Sequence, residues 1–196
     1  MHTTESNRRK YSWMFFAVCA LAFACGPDEG SSRELLVKWQ NDLVRAQGQE
    51  VYSDGEWRKD GRLTFFYDDG KKEAEGDYEL GRETGHWSHW LDDGTRAEGS
   101  YREGKRIGAW TYWHENGKKQ EEGEYATGQR IGRWTWLYSS GKRREISEYS
   151  NGKVHGVRIA FKEDGSIDDS SCGAYSEGVR SGPLPAGFDV AAWLAQ

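Results

Sequence analysis

The chain has 196 residues, including 25 Gly, 3 Pro and 10 Trp, and its formal net charge is −5. High glycine with scarce proline argues against collagen and disorder, and 36% hydrophobic residues are too few for the thick core of a two-layer α/β enzyme. The composition predicts one all-β unit with aromatic strands and frequent tight turns.

Residues 1–24 have the pattern of a signal peptide. Arg8, Arg9 and Lys10 precede an apolar run of 14 residues, shorter than the roughly 20 that span a bilayer. The run ends in Leu-Ala-Phe-Ala-Cys, which resembles the lipobox of bacterial lipoproteins, although Ala22 stands where that family normally has Leu. The resemblance implies a lipid anchor on Cys25 in the outer membrane of the cell envelope. Cleavage by ordinary signal peptidase and an uncleaved short anchor are the alternatives.

The chain that would remain after removal of this signal is acidic. It carries 24 basic and 31 acidic residues, so its net charge of −7 disfavours nucleic acid as a partner. With Cys25 acylated, Cys172 is the one remaining thiol, and no intramolecular disulfide is expected.

Residues 25–49 are predicted to form a lipidated N-terminus, a linker and a short helix. Ser31-Ser32-Arg33-Glu34 has the pattern of a capping box. Apolar residues follow at helical spacing as far as Gly48. They are Leu35, Leu36, Trp39, Leu43 and Ala46.

Residues 50–182 form an array of repeats, each 23 or 24 residues long. Each full unit begins Tyr-x-x-Gly-x-x-x-Gly, has bulky residues two and five positions after the second glycine, and a turn glycine nine positions after it. The four full units begin at Tyr78, Tyr101, Tyr125 and Tyr149, with partial units on both sides. Such a fixed period is typical of a stacked repeat architecture.

Each unit is predicted to be a β-hairpin. Asp-Gly or Asn-Gly turns such as Asp92-Asp93-Gly94 separate aromatic, β-branched runs, which is the strongest short hairpin signal. The Gly-x-x-x-Gly segment is interpreted as the second connection. Residues 183–196 are predicted to form a C-terminal cap, with a helical turn from Asp189.

This repeat resembles the MORN (membrane occupation and recognition nexus) family, in particular the variant of bacterial proteins labelled as antitoxin components. The resemblance rests on Tyr-x-x-Gly-x-x-x-Gly-x-Trp-x-x-Trp followed by Asn-Gly-Lys. It implies hairpins stacked into one long, twisted antiparallel sheet. Members of the family act mostly as scaffolds or binding surfaces.

Strand alternation puts the aromatic residues into two stripes, one on each face of the sheet. Either the rings are core, or part of one stripe is a platform for a peptide strand or a glycan. The candidate binding residues are Trp87, Trp90, Trp110, Tyr112, Trp113, Trp134, Trp136 and Tyr138.

The sequence shows no constellation for catalysis. His86 and His89 are three apart, so in a strand they point to opposite faces and make a poor metal pair. There is no nucleophile elbow and no phosphate-binding loop, and no cofactor is expected. These features predict a non-catalytic interaction scaffold on an envelope lipoprotein. A glycan- or peptidoglycan-binding module and an antitoxin or immunity protein are the alternatives.

Overall fold

The computed structural model describes residues 26–195, which form a single open sheet of thirteen antiparallel strands. The strands pair in chain order, so the sheet is an uninterrupted meander. They are β1 (Ser32–Lys38), β2 (Val44–Ser53), β3 (Glu56–Phe66), β4 (Lys72–Glu79), β5 (Arg82–Trp90), β6 (Arg96–Arg102), β7 (Lys105–Trp113), β8 (Lys119–Ala126), β9 (Gln129–Leu137), β10 (Arg143–Ser150), β11 (Lys153–Ala160), β12 (Gly173–Ser176) and β13 (Val179–Gly182), and one helix, α1 (Val190–Leu194), follows. The predicted all-β fold of stacked hairpins is confirmed.

Two kinds of turn alternate along the sheet. At the Asp-Gly turns, such as Leu91–Thr95, the Gly94 N–H bonds to the Leu91 carbonyl and the Leu91 N–H bonds to the Thr95 carbonyl. This is a three-residue loop with its glycine at positive φ. Apart from the longer connection of residues 161–172 between β11 and β12, the other connections are two-residue turns such as Leu80-Gly81, in which both residues have positive φ. Only the first glycine of each Gly-x-x-x-Gly segment therefore lies in a turn.

The second glycine of that segment lies inside a strand, at a bulge. The register of β4 against β5 shifts by two residues between Glu75 and Asp77, opposite Gly85. Positive φ at Gly85 accommodates the extra residues. The same shift recurs in the next two repeats.

The predicted N-terminal helix is wrong, because β1 and β2 form another hairpin. Its turn, Trp39–Leu43, has the hydrogen bonds of the Asp-Gly turns, with Asp42 at positive φ. The Trp39 indole N–H donates to the Phe66 carbonyl at 3.1 Å, which ties this turn to the next one. Helical spacing is a local signal, and pairing of β2 with β3 outweighs it here. The array therefore begins at Ser32 and includes most of the segment assigned to the linker and helix.

The predicted C-terminal helical turn is confirmed as α1. Its N-cap is Asp189, whose side chain accepts a hydrogen bond from the Ala192 N–H. Trp193 is buried in a cluster with residues of the last hairpins. The buried members of this cluster are Ile146, Ile159, Ala160, Phe161, Cys172 and Trp193.

Candidate binding surface

One face of the sheet carries a continuous line of rings, which we call the aromatic row. It consists of Trp and Tyr residues from successive hairpins, whose ring centroids lie 5.0–6.4 Å apart, mostly edge to face. Its members are Tyr78, Trp87, Tyr101, Trp110, Tyr125, Trp134 and Tyr149.

Each tryptophan of the row lies flat against a glycine of the preceding strand. Trp87, Trp110 and Trp134 cover Gly76, Gly99 and Gly123. Their indole N–H groups donate to backbone carbonyls of the same strands at 3.1–3.2 Å. A single-layer sheet can therefore bury these indoles almost completely, with 0–2% of their surface exposed.

The structure separates the eight predicted binding residues into two groups. Trp87, Trp110, Trp134 and Trp136 are buried in or beside the aromatic row. The others are half-buried, and they are Trp90, Tyr112, Trp113 and Tyr138. The accessible candidates are therefore the second group. The binding role of all eight stays a prediction.

Charged side chains lie over the rings, a feature that the sequence interpretation missed. The Arg130 guanidinium carbon lies 4.1 Å from the Trp134 ring centroid, and that of Arg106 lies 4.8 Å from the Trp110 centroid. Lys59 takes the same place over Phe65 and Tyr78. All three stand two positions before the second glycine of their repeat, and this spacing was the available signal.

Hydrogen bonds among the arginines and tyrosines set the local electrostatics. Burial and a hydrogen bond with Tyr125 raise the pKa of Tyr112. Burial also acts to raise the pKa of Tyr125, but hydrogen bonds from Arg130, Tyr112 and Arg106 outweigh it and lower that pKa. Burial, aided by Glu83, raises the pKa of Tyr78 to about 12. Tyr78 and Tyr112 are therefore neutral hydrogen-bonding groups at pH 7.

The His89 ring lies between the indoles of Trp87 and Trp110, in surroundings that favour its neutral form. Burial lowers its pKa, and the charge of Arg106 lowers it further. Its ring stacks on Trp87 and Trp110 with centroids 5.6 and 6.1 Å away.

Two grooves open beside Trp90. The first, which we call the turn groove, has a volume of about 610 Å³ and lies between the successive turns at 67–71 and 91–95. Tyr67, Trp90 and Leu91 supply its apolar lining, and charged residues of both turns line it as well. The second has a volume of about 500 Å³ and reaches the aromatic row at Trp110, where His89, Arg106 and Tyr112 also line it, so we call it the row groove.

Metal-ligand clusters and membrane-spanning helices are both absent from residues 26–195. Within residues 26–195, no three or more His, Cys, Asp or Glu side chains come together in a way that could hold a metal ion. In the same range, no helix has the length and hydropathy to cross a membrane. Cys25, the predicted lipidation site, and the signal peptide of residues 1–24 lie outside the described residues.

Comparison with known proteins supports the repeat interpretation. The MORN repeat variant matches the chain at two places, residues 59–79 and 106–126. The first runs from the bulge of β3 to the end of β4, and the second covers the same part of β7 and β8. No curated protein sequence matches the chain. MORN repeats are commonly protein- or membrane-interaction modules, and the family is generally non-enzymatic.

Proposed function

We propose that this protein is a non-catalytic interaction scaffold that binds a protein partner in the turn groove. The observation that carries the proposal is the juxtaposition of half-buried Trp90 with Leu91, whose surface is 47% exposed. Asp69, Lys71 and Asp92 add charge around them. An aromatic and aliphatic anchor with a polar rim is the usual composition of a protein-binding hot spot.

Photo-crosslinking from the groove tests this proposal. A photoreactive amino acid at Leu91 is expected to capture a defined partner in cells. The same amino acid at Val179, which is 70% exposed at the far end of the sheet, should not. The variant Leu91→Asp should lose the partner in affinity purification while Val179→Asp retains it. Equal capture from both positions would contradict a site in the turn groove.

The scaffold is proposed to act at the cell envelope through a lipid on Cys25. The support is the basic and apolar segment before the cysteine. Palmitate labelling of the wild-type protein beside Cys25→Ser is the direct test. We expect label in the wild type only, and fractionation should place the labelled protein in the outer membrane. Absence of label from both proteins would count against the anchor.

A glycan is the second candidate ligand for the turn groove. The favouring observation is the combination of the Tyr67 and Trp90 rings with the carboxylates of Asp68 and Asp92 in one groove. Rings stack on sugar faces, and carboxylates accept hydroxyl hydrogen bonds. Titration with cell-wall fragments should change tryptophan fluorescence in the wild type and not in Trp90→Phe if the change reports this site.

An antitoxin or immunity role stays a prediction from the resemblance, testable by co-expression with neighbouring gene products.

A further inference from the structure

Arg130 shows how the aromatic row holds a guanidinium group. Its Nη2 donates to both carboxylate oxygens of Glu121, at 2.8 and 3.1 Å, while its Cζ lies 4.1 Å from the Trp134 ring centroid. Glu121 projects from β8, where it pairs with Trp136. The Arg130 guanidinium is thus held by the Trp134 ring on one side and by the Glu121 carboxylate on another.

Arg106 has the same place one repeat earlier but lacks the carboxylate. Its Cζ lies 4.8 Å from the Trp110 ring centroid, and its Nη1 donates to the Tyr112 and Tyr125 hydroxyls at 3.2 and 3.3 Å. The position that corresponds to Glu121 is Ala97, which pairs with Tyr112 as Glu121 pairs with Trp136. Among residues 26–195, Arg106 makes no ion pair within 4.0 Å.

The row groove lies where that carboxylate would be. Its lining includes His89, Ala97, Arg106, Trp110 and Tyr112, and its volume of about 500 Å³ exceeds that of one glutamate side chain. The half-buried Arg106 guanidinium and the Tyr112 side chain therefore face open space, where the neighbouring repeat has an acid.

We propose that Arg106 and Tyr112 form a binding site for a carboxylate from a ligand. The ligand's carboxylate takes the place that Glu121 occupies beside Arg130. Glu145 likewise bonds Arg158 at 2.7 Å one hairpin further on, so this face of the sheet pairs arginine with carboxylate repeatedly. A carboxylate fits better than a phosphate because Glu73 and Asp93 also line the groove and would repel a second negative charge. The site stands whether or not a partner binds the turn groove.

Titration of the purified protein with defined carboxylates tests the site. The probes are acetyl-Ala-Glu-Ala-amide, its Gln analogue, glutarate and inorganic phosphate, with binding followed by the NMR signals of the Arg106 side chain and the Trp110 indole. We expect the Glu peptide to bind about tenfold more tightly than the Gln peptide, as for a charge-assisted hydrogen bond. If the Glu peptide binds more tightly than glutarate, the natural ligand is a protein side chain. If glutarate binds more tightly, the natural ligand is a free carboxylic acid.

Two kinds of variant make the test specific. Ala97→Glu places a carboxylate of the protein itself beside Arg106 and should abolish the preference for the Glu peptide over the Gln peptide. Arg106→Gln removes the cation and should abolish the same preference. Glu121→Ala removes the acid from the neighbouring repeat and should create a second site at Arg130. That variant acts in a different hairpin, so it tests the proposal even if Ala97→Glu does not fold.

Three results would overturn the proposal. They are equal binding of the Glu and Gln peptides to the wild type, an undiminished preference in folded Ala97→Glu, and tighter binding of phosphate than of either carboxylate.

Discussion

The indole ring of Trp110 lies so close to Gly99 that a Cβ on this glycine would come within 2.2 Å of the ring. Gly76 and Gly123 stand in the same relation to Trp87 and Trp134, always eleven residues before the tryptophan. In the fourth repeat Arg158 replaces the tryptophan, and the corresponding glycine is replaced by buried Ser147. The glycine is therefore required where a flat indole covers it and is dispensable where no indole covers that position.

Gly99→Ala is expected to destabilise the sheet strongly. The added methyl would overlap a buried ring that is packed flat against the backbone, so we expect a loss of about 3 kcal/mol in the free energy of unfolding. Urea denaturation followed by tryptophan fluorescence measures the loss.

Gly182→Ala is the matched control for this change. Gly182 also lies in a strand without positive φ, and a Cβ there meets no atom within 4 Å. We expect this variant to unfold within about 0.5 kcal/mol of the wild type. Similar losses in both variants would refute the specific role of the Trp110 contact.

Leu91→Tyr is expected to stabilise the array. The equivalent side chains of four other turns of this kind, Trp39, Tyr67, His114 and Tyr138, bond to a carbonyl in the next repeat, as Tyr67 donates to Trp90 at 2.8 Å and Tyr138 donates to Phe161 at 2.8 Å. Leu91 has no donor and leaves that bond to the Trp113 carbonyl unmade. A tyrosine should therefore raise the free energy of unfolding by about 1 kcal/mol.

Leu91→Phe separates the hydroxyl from the ring in this experiment. It adds the same aromatic surface without a donor, so it should stabilise less than Leu91→Tyr in the same denaturation assay. Identical gains from both variants would show that the ring, and not the hydrogen bond, is responsible.

Trp193→Ala is expected to detach the C-terminal cap from β10 and β11. Trp193 packs on the last core cluster, its indole donates to Glu148 at 3.2 Å, and the Arg133 guanidinium lies 4.1 Å from its ring centroid. Removal of a buried tryptophan costs about 4 kcal/mol, which here is lost from the terminal hairpins. Cys172 is buried and its pKa is raised, so it reacts slowly in the wild type. In Trp193→Ala its alkylation rate, measured by peptide mass spectrometry, should rise at least tenfold.

The cap has its docking site only at this end of the sheet. Ile146 and Ile159 stand where the preceding repeat has Glu122 and Thr135. Hydrogen exchange in β4–β7 should therefore stay as slow in Trp193→Ala as in the wild type. The exposed substitution Ala191→Ser is the control and should leave Cys172 protected, and general loss of protection would contradict a local cap.

His89→Phe is expected to flatten the dependence of stability on pH. Burial and the Arg106 charge lower the pKa of His89 below its unfolded value of about 6.5, so the unfolded chain binds this proton more readily. The stabilising contribution is fully present above pH 6.5 and is lost as the pH falls toward the folded-state pKa. Phe65 occupies the corresponding position in the preceding repeat, so the substitution suits the site.

Unfolding free energies at pH 7.5 and 5.5 measure this effect. The wild type should lose more stability over this interval than His89→Phe does, while His86→Phe, at an exposed position, should behave as the wild type. An equal loss in all three proteins would show that another group titrates.

Local signals in the sequence are sufficient for the hairpins themselves. Asp-Gly pairs specify three-residue loops, because the glycine adopts the positive φ that other residues disfavour. Alternation of aromatic residues correctly predicts which residues share a face, as for Trp134 and Trp136. The Asp189 cap and Trp193 predict α1 in the same way. Each of these features depends on residues close together in the chain.

Long-range pairing decided what the sequence alone could not. The segment from Leu35 to Ala46 has helical spacing, yet it lies in the hairpin of β1 and β2, because β3 offers a strand edge and Phe66 offers a carbonyl to Trp39. The burial of Trp110, and the open place beside Arg106, depend on Gly99 and Ala97 in the neighbouring strand. The sequence by itself determined the repeat and its turns, because these are set by the conformational preferences of consecutive residues. The tertiary structure decided which rings are buried and which cation lacks an acid, because those properties belong to contacts between strands.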